Sequence, residues 1–256
     1  MTNLNASAKS RGVVLFAFNT KLVDYVSIAQ QSARLIKYTL DLPVTIISDI
    51  GKMTDNYRTG YAHGTQWYNS DRYRAYEFSP YDETLLLDSD YLILDDSLLK
   101  IVNTINDYTI MTKNQNFQMS MTGDMGVTSL NYVWATAVIF KKTTKSKLLF
   151  DLVGKIQRNY PYYRKLYNLR EHNFRNDYAF AIADNIINGY TNSPGIPWTM
   201  LTVDAPLKKI EIKNNKLTVR KEESAHVIPK QNIHVMDKNY LQSNDYQQFV
   251  DTICQN

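Results

Sequence analysis

Cysteine is nearly absent: the one thiol of this 256-residue chain is Cys254. That excludes an internal disulfide framework and any cysteine-rich zinc or iron–sulfur site. No run of about eighteen apolar residues occurs, so no transmembrane helix is expected. The polar opening, Met1 to Ser10, has no apolar h-region. No secretory signal is therefore expected, and a reducing cytoplasm is the expected compartment. Glycine is sparse, with 9 residues. None of them builds a Gly-x-Gly-x-x-Gly turn after the first apolar run or a Gly-x-x-x-x-Gly-Lys-Ser/Thr loop, which disfavours ordinary dehydrogenase and P-loop kinase chemistry. There is no Gly-x-Ser-x-Gly elbow and no cysteine nucleophile in the body of the chain. Repeats, low-complexity tracts and long linkers are missing too. What remains is globular usage, 44% hydrophobic and 21% charged, incompatible with general disorder. The net charge of +4 permits a polyanionic partner without requiring one.

Val13 to Phe18 is a continuous apolar run and reads as a strand buried on both faces. Asn19-Thr20 make a turn, and Leu22, Val26, Ala29, Ala33 and Ile36 recur at helical spacing. Pro43 interrupts before the next strand, Val44 to Ile47. Strand, helix, strand is a βαβ unit, so the two strands should be parallel. Gly51 to Gly64 reads as loop, and Asn69 to Phe78 as a helix ending before Pro80. Leu85 to Leu87 reads as a central strand, followed by a helix over Leu98 to Ile105 that Asp95-Asp96-Ser97 would cap. After a Met-, Gly- and Asn-rich loop (Thr112 to Leu130) come a strand at Val133 to Phe140 and helices at Lys145 to Tyr160 and Arg175 to Ile187. Lys209 to Val219 alternates around Asn214-Asn215 as a hairpin, and Ile233 to Met236 is a late strand. The expected fold is α/β, one domain over 1–256 with a mostly parallel central sheet, helices on both faces, a small C-terminal hairpin and peripheral tails at 1–11 and 243–256.

The sharpest chemical signal is Asp88-Ser89-Asp90. On an extended segment, side chains two apart project to one face, so both carboxylates can meet one cation. Hard oxygen donors suit Mg²⁺ or Mn²⁺ completed by water and phosphate oxygens. The place fits as well, because ligands of open α/β sheets bind outside the carboxyl ends of the strands. The alternative is a pair of turn- or helix-capping aspartates, the role assigned to Asp95 and Asp96.

The start Ala17-Phe18-Asn19-Thr20, together with Pro80-Tyr81-Asp82-Glu83-Thr84-Leu85-Leu86-Leu87-Asp88-Ser89-Asp90, resembles the GT-A glycosyltransferases. The nearest broad group is the glycogenin-like family 8, and the wording of this stretch is similar to its phage-encoded members. The resemblance spans Val13 to Lys238. It implies a metal-dependent transfer of a sugar from a nucleoside diphosphate donor, a UDP-sugar above all, to a hydroxyl, and it leans towards retention of configuration. It implies that Phe18, Asn19 and Thr20 line the base and ribose with Asp49, that Arg72 or Arg74 meets the donor, and that Ser89 lies against it. Asp88, Asp90 and His234 would hold Mn²⁺ or Mg²⁺, Lys238 would neutralise the diphosphate, and Asp177 would be the catalytic carboxylate beyond the sugar. Trp134, Thr136 and Trp198 fall to the acceptor side. Two stretches depart from the family. His234-Val235-Met236-Asp237-Lys238 replaces a His-x-x-Gly-x-x-Lys-Pro-Trp ending, and Trp134-Ala135-Thr136-Ala137 replaces an Asn-Ser-Gly motif.

From the residues alone, His234 between Ile233 and Val235 is either a ligand or a hydrogen-bonded core histidine. Asp177 is either catalytic or a helix cap. Arg72 and Arg74 are either donor contacts or solvated helix charges, and Trp198 either stacks on a ligand or plugs the core. Between Lys155 and Arg175 six cations stand against one acid, interleaved with Tyr160, Tyr162, Tyr163, Tyr167 and Phe174. That pattern suits a phosphodiester backbone as well as a solvated face. It makes a hydroxymethylated base in duplex DNA one candidate acceptor, beside protein and polysaccharide. A nucleotidyltransferase would share the strand-end metal site but would favour a Gly-rich phosphate cradle. A GT-A module used only for binding would tolerate loss of either aspartate.

Overall fold

The computed structural model describes residues 9–48, 58–60, 65–67, 71–116, 130–169, 174–191 and 193–255. Strand β1 (Arg11–Phe16), helix α1 (Tyr25–Leu40) and strand β2 (Val44–Ile47) form the βαβ unit, with β1 and β2 parallel in the register Val13↔Val44. The helix starts later than the apolar spacing predicts. Thr20 Oγ1 accepts from the amides of Leu22 and Val23, and Asp24 caps the helix by accepting from Ser27 N at 3.0 Å. Leu22, expected on the buried stripe, is 88% exposed in this turn.

Strands β3 (Arg58–Gly60) and β4 (Thr65–Trp67) pair antiparallel, so part of the expected loop is extended. A 3-10 turn (Arg72–Arg74) runs into the short helix α2 (Ala75–Phe78), and β5 (Glu83–Leu87), β6 (Tyr91–Leu92), α3 (Ser97–Thr104), β7 (Tyr108–Met111) and β8 (Asn114–Asn116) follow. Next come β9 (Trp134–Lys141), α4 (Thr144–Arg158), α5 (Tyr160–Leu166) and α6 (Asn176–Ile187). The chain finishes with β10 (Met200–Val203), β11 (Lys209–Lys213), β12 (Lys216–Arg220), β13 (Ala225–Pro229), β14 (Ile233–Val235), α7 (Lys238–Leu241) and α8 (Asn244–Cys254).

The fold is α/β, as expected. The central sheet has the order β2-β1-β5-β9-β7. β2, β1 and β5 are parallel, β9 is antiparallel to β5, and β7 is antiparallel to β9, so β7 runs with the first three. Period-two alternation divides the side chains between two layers. Val14, Phe16, Leu86, Val138 and Phe140 meet α4 and α6 through Leu149, Phe150, Val153 and Phe180. Val13, Leu15, Leu85, Leu87 and Ile139 meet α1 and α3 through Ala29, Ile36 and Leu98. Leu85, Leu86 and Leu87 are fully buried, each contributing roughly 1.5–3 kcal/mol of transfer free energy. That makes β5 a stiff rod whose carboxyl end is fixed in place.

A second sheet, β6-β14-β10-β8, starts where β5 stops. Of its strands the sequence pattern reveals β14, expected at Ile233 to Met236; the others are two to four residues long and carry no clear period. The hairpin β11–β12 gains β13 as a third strand. Its turn residues Asn214 and Asn215 have φ of 52° and 58°, the positive pair that a type I′ turn demands. Residues 243–256, expected as a peripheral tail, instead include α8, whose Tyr246 and Val250 are fully buried beside Ile28 and Leu35 of α1. At the other end Arg11, expected in the leading tail, opens β1 and pairs with Glu83 at 2.7 Å. Among the described residues no helix is long and apolar enough to cross a membrane.

Candidate active site

Asp88 follows the last residue of β5, and Ser89-Asp90 form a turn into β6. The two carboxylates do meet, through this turn rather than by alternation along a strand: Tyr91 N donates to Asp88 O at 3.1 Å. The turn is pinned from both sides. Asp88 N donates to Thr136 O on β9 at 2.9 Å, and Val235 N on β14 donates to Asp90 O at 2.9 Å. Ser32 Oγ of α1 donates to the Ser89 carbonyl.

His234 lies at the centre of β14, opposite Tyr91 of β6 and beside Thr202 of β10. Its neighbours Ile233 and Val235 pack into the apolar core. One atom each of Asp88, Asp90 and His234 lies within 4.8 Å of the others. His234 Nε2 is 3.4 Å from Asp90 Oδ1, close to the ~3.0 Å between adjacent ligands of an octahedral ion with bonds of about 2.1 Å. On the far side of the ring, Nδ1 is 3.3 Å from Thr202 Oγ1, which donates to Asn114 Oδ1 at 2.6 Å. A partner on the second ring nitrogen is what orients a ligating imidazole. Two carboxylates and an oriented imidazole therefore fit a divalent cation.

Two cations, one buried and one half-buried, bracket the cluster. Arg72, 1% exposed, donates from Nη1 to Asp88 Oδ1 at 2.5 Å and from Nη2 to the Ala135 carbonyl. Lys238 Nζ donates to Asp90 Oδ2 and to the Val235 carbonyl, the latter at 3.2 Å. Burial acts to raise the Asp90 carboxyl, but Lys238 and His234 outweigh it and hold the group far below the ordinary carboxylate range. Burial pushes Asp88 up, with Asp90 and Asp177 adding to it against the pull of Arg72 and His234. Arg74, the other arginine of the turn, faces away: it pairs with Glu77 at 3.3 Å and lies over the Phe78 ring.

Asp177 sits in the first turn of α6 but does not cap it. Its Oδ1 accepts from Ala135 N at 2.9 Å and its Oδ2 from Arg175 at 3.0 Å. Ala135 is thus tethered by Asp177 at its amide and by Arg72 at its carbonyl. Thr136 is 4% exposed and serves the site through its carbonyl. Trp134 packs edge-on to Tyr132, ring centroids 4.9 Å apart, and Trp198 packs on the α1–α3 side of the sheet. Phe18-Asn19-Thr20 follow β1, next to β5. Asn19 Oδ1 accepts from Val26 N at 2.9 Å, so Asn19 and Thr20 also shape the entry to α1. Asp49 lies outside the described residues.

Sequence reasoning missed Thr202, Ser32 and Tyr25. The Tyr25 phenol, at the start of α1, is raised by burial and feels Lys238, Asp90 and Asp88. None of the three carries a local signal, because each reaches the cluster from another element. Arg175 was the one detectable omission, two residues from Asp177.

No protein-family model matches the chain, and no curated protein matches it. Solved structures similar to it include the apo-form glycosyltransferase GlyE of Streptococcus pneumoniae, with 12% identity over 70% of this chain and 43% of that one and a TM-score of 0.39. The galactosyltransferase LgtC in complex with donor and acceptor sugar analogs shares 13% identity over 67% of this chain and 69% of its own, with a TM-score of 0.42. Mouse xyloside xylosyltransferase 1 shares 9% identity over 71% and 83%, with a TM-score of 0.40. The chain spans less than half the length of GlyE. All three are distant likenesses to glycosyltransferases, with less than half the TM-score of an identical fold.

Proposed function

We propose that the chain is a metal-dependent GT-A glycosyltransferase that moves a sugar from a nucleoside diphosphate donor, a UDP-sugar in our reading, to an acceptor hydroxyl. The observation that supports it is the Asp88–Asp90–His234 cluster at the carboxyl end of β5, where open α/β sheets bind ligands. Asp88, Asp90 and His234 would hold Mn²⁺ or Mg²⁺, which when bound supplies Lewis-acid stabilisation of charge on the departing nucleotide. Lys238 spends two N–H groups on Asp90 and Val235 and has a third for a phosphate oxygen. The Phe18-Asn19-Thr20 loop, which follows β1 beside β5, would seat the base and ribose, a role Asp49 would share, and Ser89 would lie against the diphosphate. Asp177, immobilised by Ala135 and Arg175, would offset positive charge on the sugar ring in an oxocarbenium-like transition state. Arg72, not Arg74, is the arginine of this site, and Trp134, Thr136 and Trp198 would border the acceptor.

The test is thermal stabilisation by a panel of nucleoside diphosphates with and without Mn²⁺, followed by donor hydrolysis in Asp88→Asn and Asp90→Asn. Stabilisation by UDP only with metal, and loss of hydrolysis in both variants, is expected. Unchanged turnover in both removes the metal reading, and no shift with any nucleotide favours a binding module.

For the acceptor we propose a hydroxymethylated base in duplex DNA. It draws support from Lys155 and Arg158 in the last turn of α4, followed by Tyr162, Tyr163 and Lys165 on α5 and Tyr167 at its end, a succession suited to phosphates and bases. Mass spectrometry of nucleosides from hydroxymethylated DNA incubated with enzyme and donor decides it. An unmodified digest shifts the acceptor to protein or polysaccharide.

A further inference from the structure

We infer that Arg72 and Lys238 set the metal affinity of this site: they are cationic brackets that each hold one carboxylate by one oxygen and cancel its charge, so that a divalent ion is retained only together with a diphosphate. The inference rests on the metal reading above. Each bracket has two anchors, a carboxylate oxygen and a backbone carbonyl. Arg72 holds Asp88 Oδ1 and Ala135 O; Lys238 holds Asp90 Oδ2 and Val235 O. Oδ2 of Asp88 and Oδ1 of Asp90 are left for an ion, the latter on the His234 side. The brackets therefore act as positioning residues that make both aspartates one-handed ligands.

The charge count follows. Asp88 and Asp90 contribute two negative charges, and Arg72 and Lys238 two positive ones. Asp177, the next carboxylate, is matched by Arg175 at 3.0 Å, and a ligating imidazole is neutral. With or without a proton on His234, the cluster carries no net negative charge before any ion arrives. A divalent cation entering alone would shed hydration water without meeting a net negative charge. A diphosphate supplies the missing charge, so ion and donor should bind as a unit. Removing Lys238 leaves the site with a net charge of −1 and an unbracketed Asp90.

Electron paramagnetic resonance of free Mn²⁺ titrates the full chain with and without UDP, in the wild type, Lys238→Met, Lys238→Gln and Arg72→Met. Lys145→Met, at the start of α4 and the opposite end of the sheet, is the control for general charge. Circular dichroism reports the fold of each variant, and Lys238→Gln keeps a hydrogen-bond donor near Asp90 should the methionine variant not fold. The wild type is expected to bind Mn²⁺ at least about tenfold more weakly alone than with UDP. The Lys238 and Arg72 variants should bind Mn²⁺ alone roughly tenfold tighter than the wild type, and Lys145→Met should match it. Lys238 variants that bind Mn²⁺ no tighter, while the wild type still takes it up with UDP, overturn this inference and leave the metal reading standing. Absence of Mn²⁺ binding in every protein even with UDP overturns both.

Discussion

Replacing Arg72 by methionine keeps most of the side-chain volume and removes the cation that faces Asp88. In the folded chain Arg72 is fully enclosed, its guanidinium is 2.5 Å from Asp88, and the Asp88 side chain is 26% exposed. Removing one member of a buried pair typically costs about 3–5 kcal/mol, because the other charge stays behind without compensation. Two features set the value here. Partial exposure lets water reach Asp88, which lowers the cost. Protonation of Asp88 caps it, since neutralising a carboxyl of ordinary pKa at pH 7 costs about 4 kcal/mol, some three pH units at 1.36 kcal/mol each. The Ala135 carbonyl also loses a donor, at about 1 kcal/mol or more. The orphaned Arg72 Nε disappears with the side chain and returns part of that. Arg72→Met should therefore destabilise by about 3 kcal/mol, which lowers the melting temperature by on the order of 10 °C in a chain of this size. Asp88→Asn in the same background removes the stranded charge, so the double variant should recover roughly 2 kcal/mol. Urea unfolding of the four proteins forming the double-mutant cycle measures both quantities. A loss below about 1 kcal/mol, or strictly additive single changes, would show that the pair does not organise the site.

Thr202→Val removes the partner of His234 Nδ1 while keeping the strand; Mn²⁺·UDP affinity should fall about tenfold, and calorimetry showing no change would rule out an orienting role. The Asp184 carboxyl, on the last turns of α6, is raised by burial, against hydrogen bonds from Tyr108 and Asn188. The folded chain thus favours its protonated form, a contribution present in acid and lost as pH rises through the folded value. Asp184→Asn, which imitates that form, should raise the melting temperature at pH 7 and change it little near pH 4; equal destabilisation at both would contradict the shift. Tyr246→Ala should cost about 3–5 kcal/mol in urea unfolding, because α8 belongs to the core; a loss under 1 kcal/mol would return residues 243–256 to the status of a tail.

The parts of the fold that sequence pattern reveals are those whose neighbours are local or uniformly apolar. Val13–Leu15 and Leu85–Leu87 announce buried strands because both of their faces are covered, and Asn214-Asn215 announces its hairpin because positive φ selects few residues. Leu22 shows the limit: it keeps helical spacing with Val26 and Ala29, but Thr20 and Asp24 capture the nearby amides first, and a turn results. α8 was overlooked for a related reason. Gln, Asp and Asn dilute its apolar positions, so Tyr246, Phe249 and Val250 look isolated until α1 is set beside them.

Within the site, the aspartates are legible as a motif, but the reason for their convergence is not. The turn at Ser89-Asp90, held by Thr136 on one side and Val235 on the other, does what strand alternation was expected to do. Choosing between Arg72 and Arg74 is beyond any local rule, since both sit in one 3-10 turn and differ only in which way that turn faces the sheet. Lys238 reaches Asp90 across 148 residues because β14 pairs with β6 in the register His234↔Tyr91. That pairing delivers His234 to the cluster and starts α7 directly above it. A slip of one residue would send His234 into the apolar core and bring Ile233 or Val235 to the carboxylates, so the short ladder between β6 and β14 decides whether two aspartates become a three-ligand site.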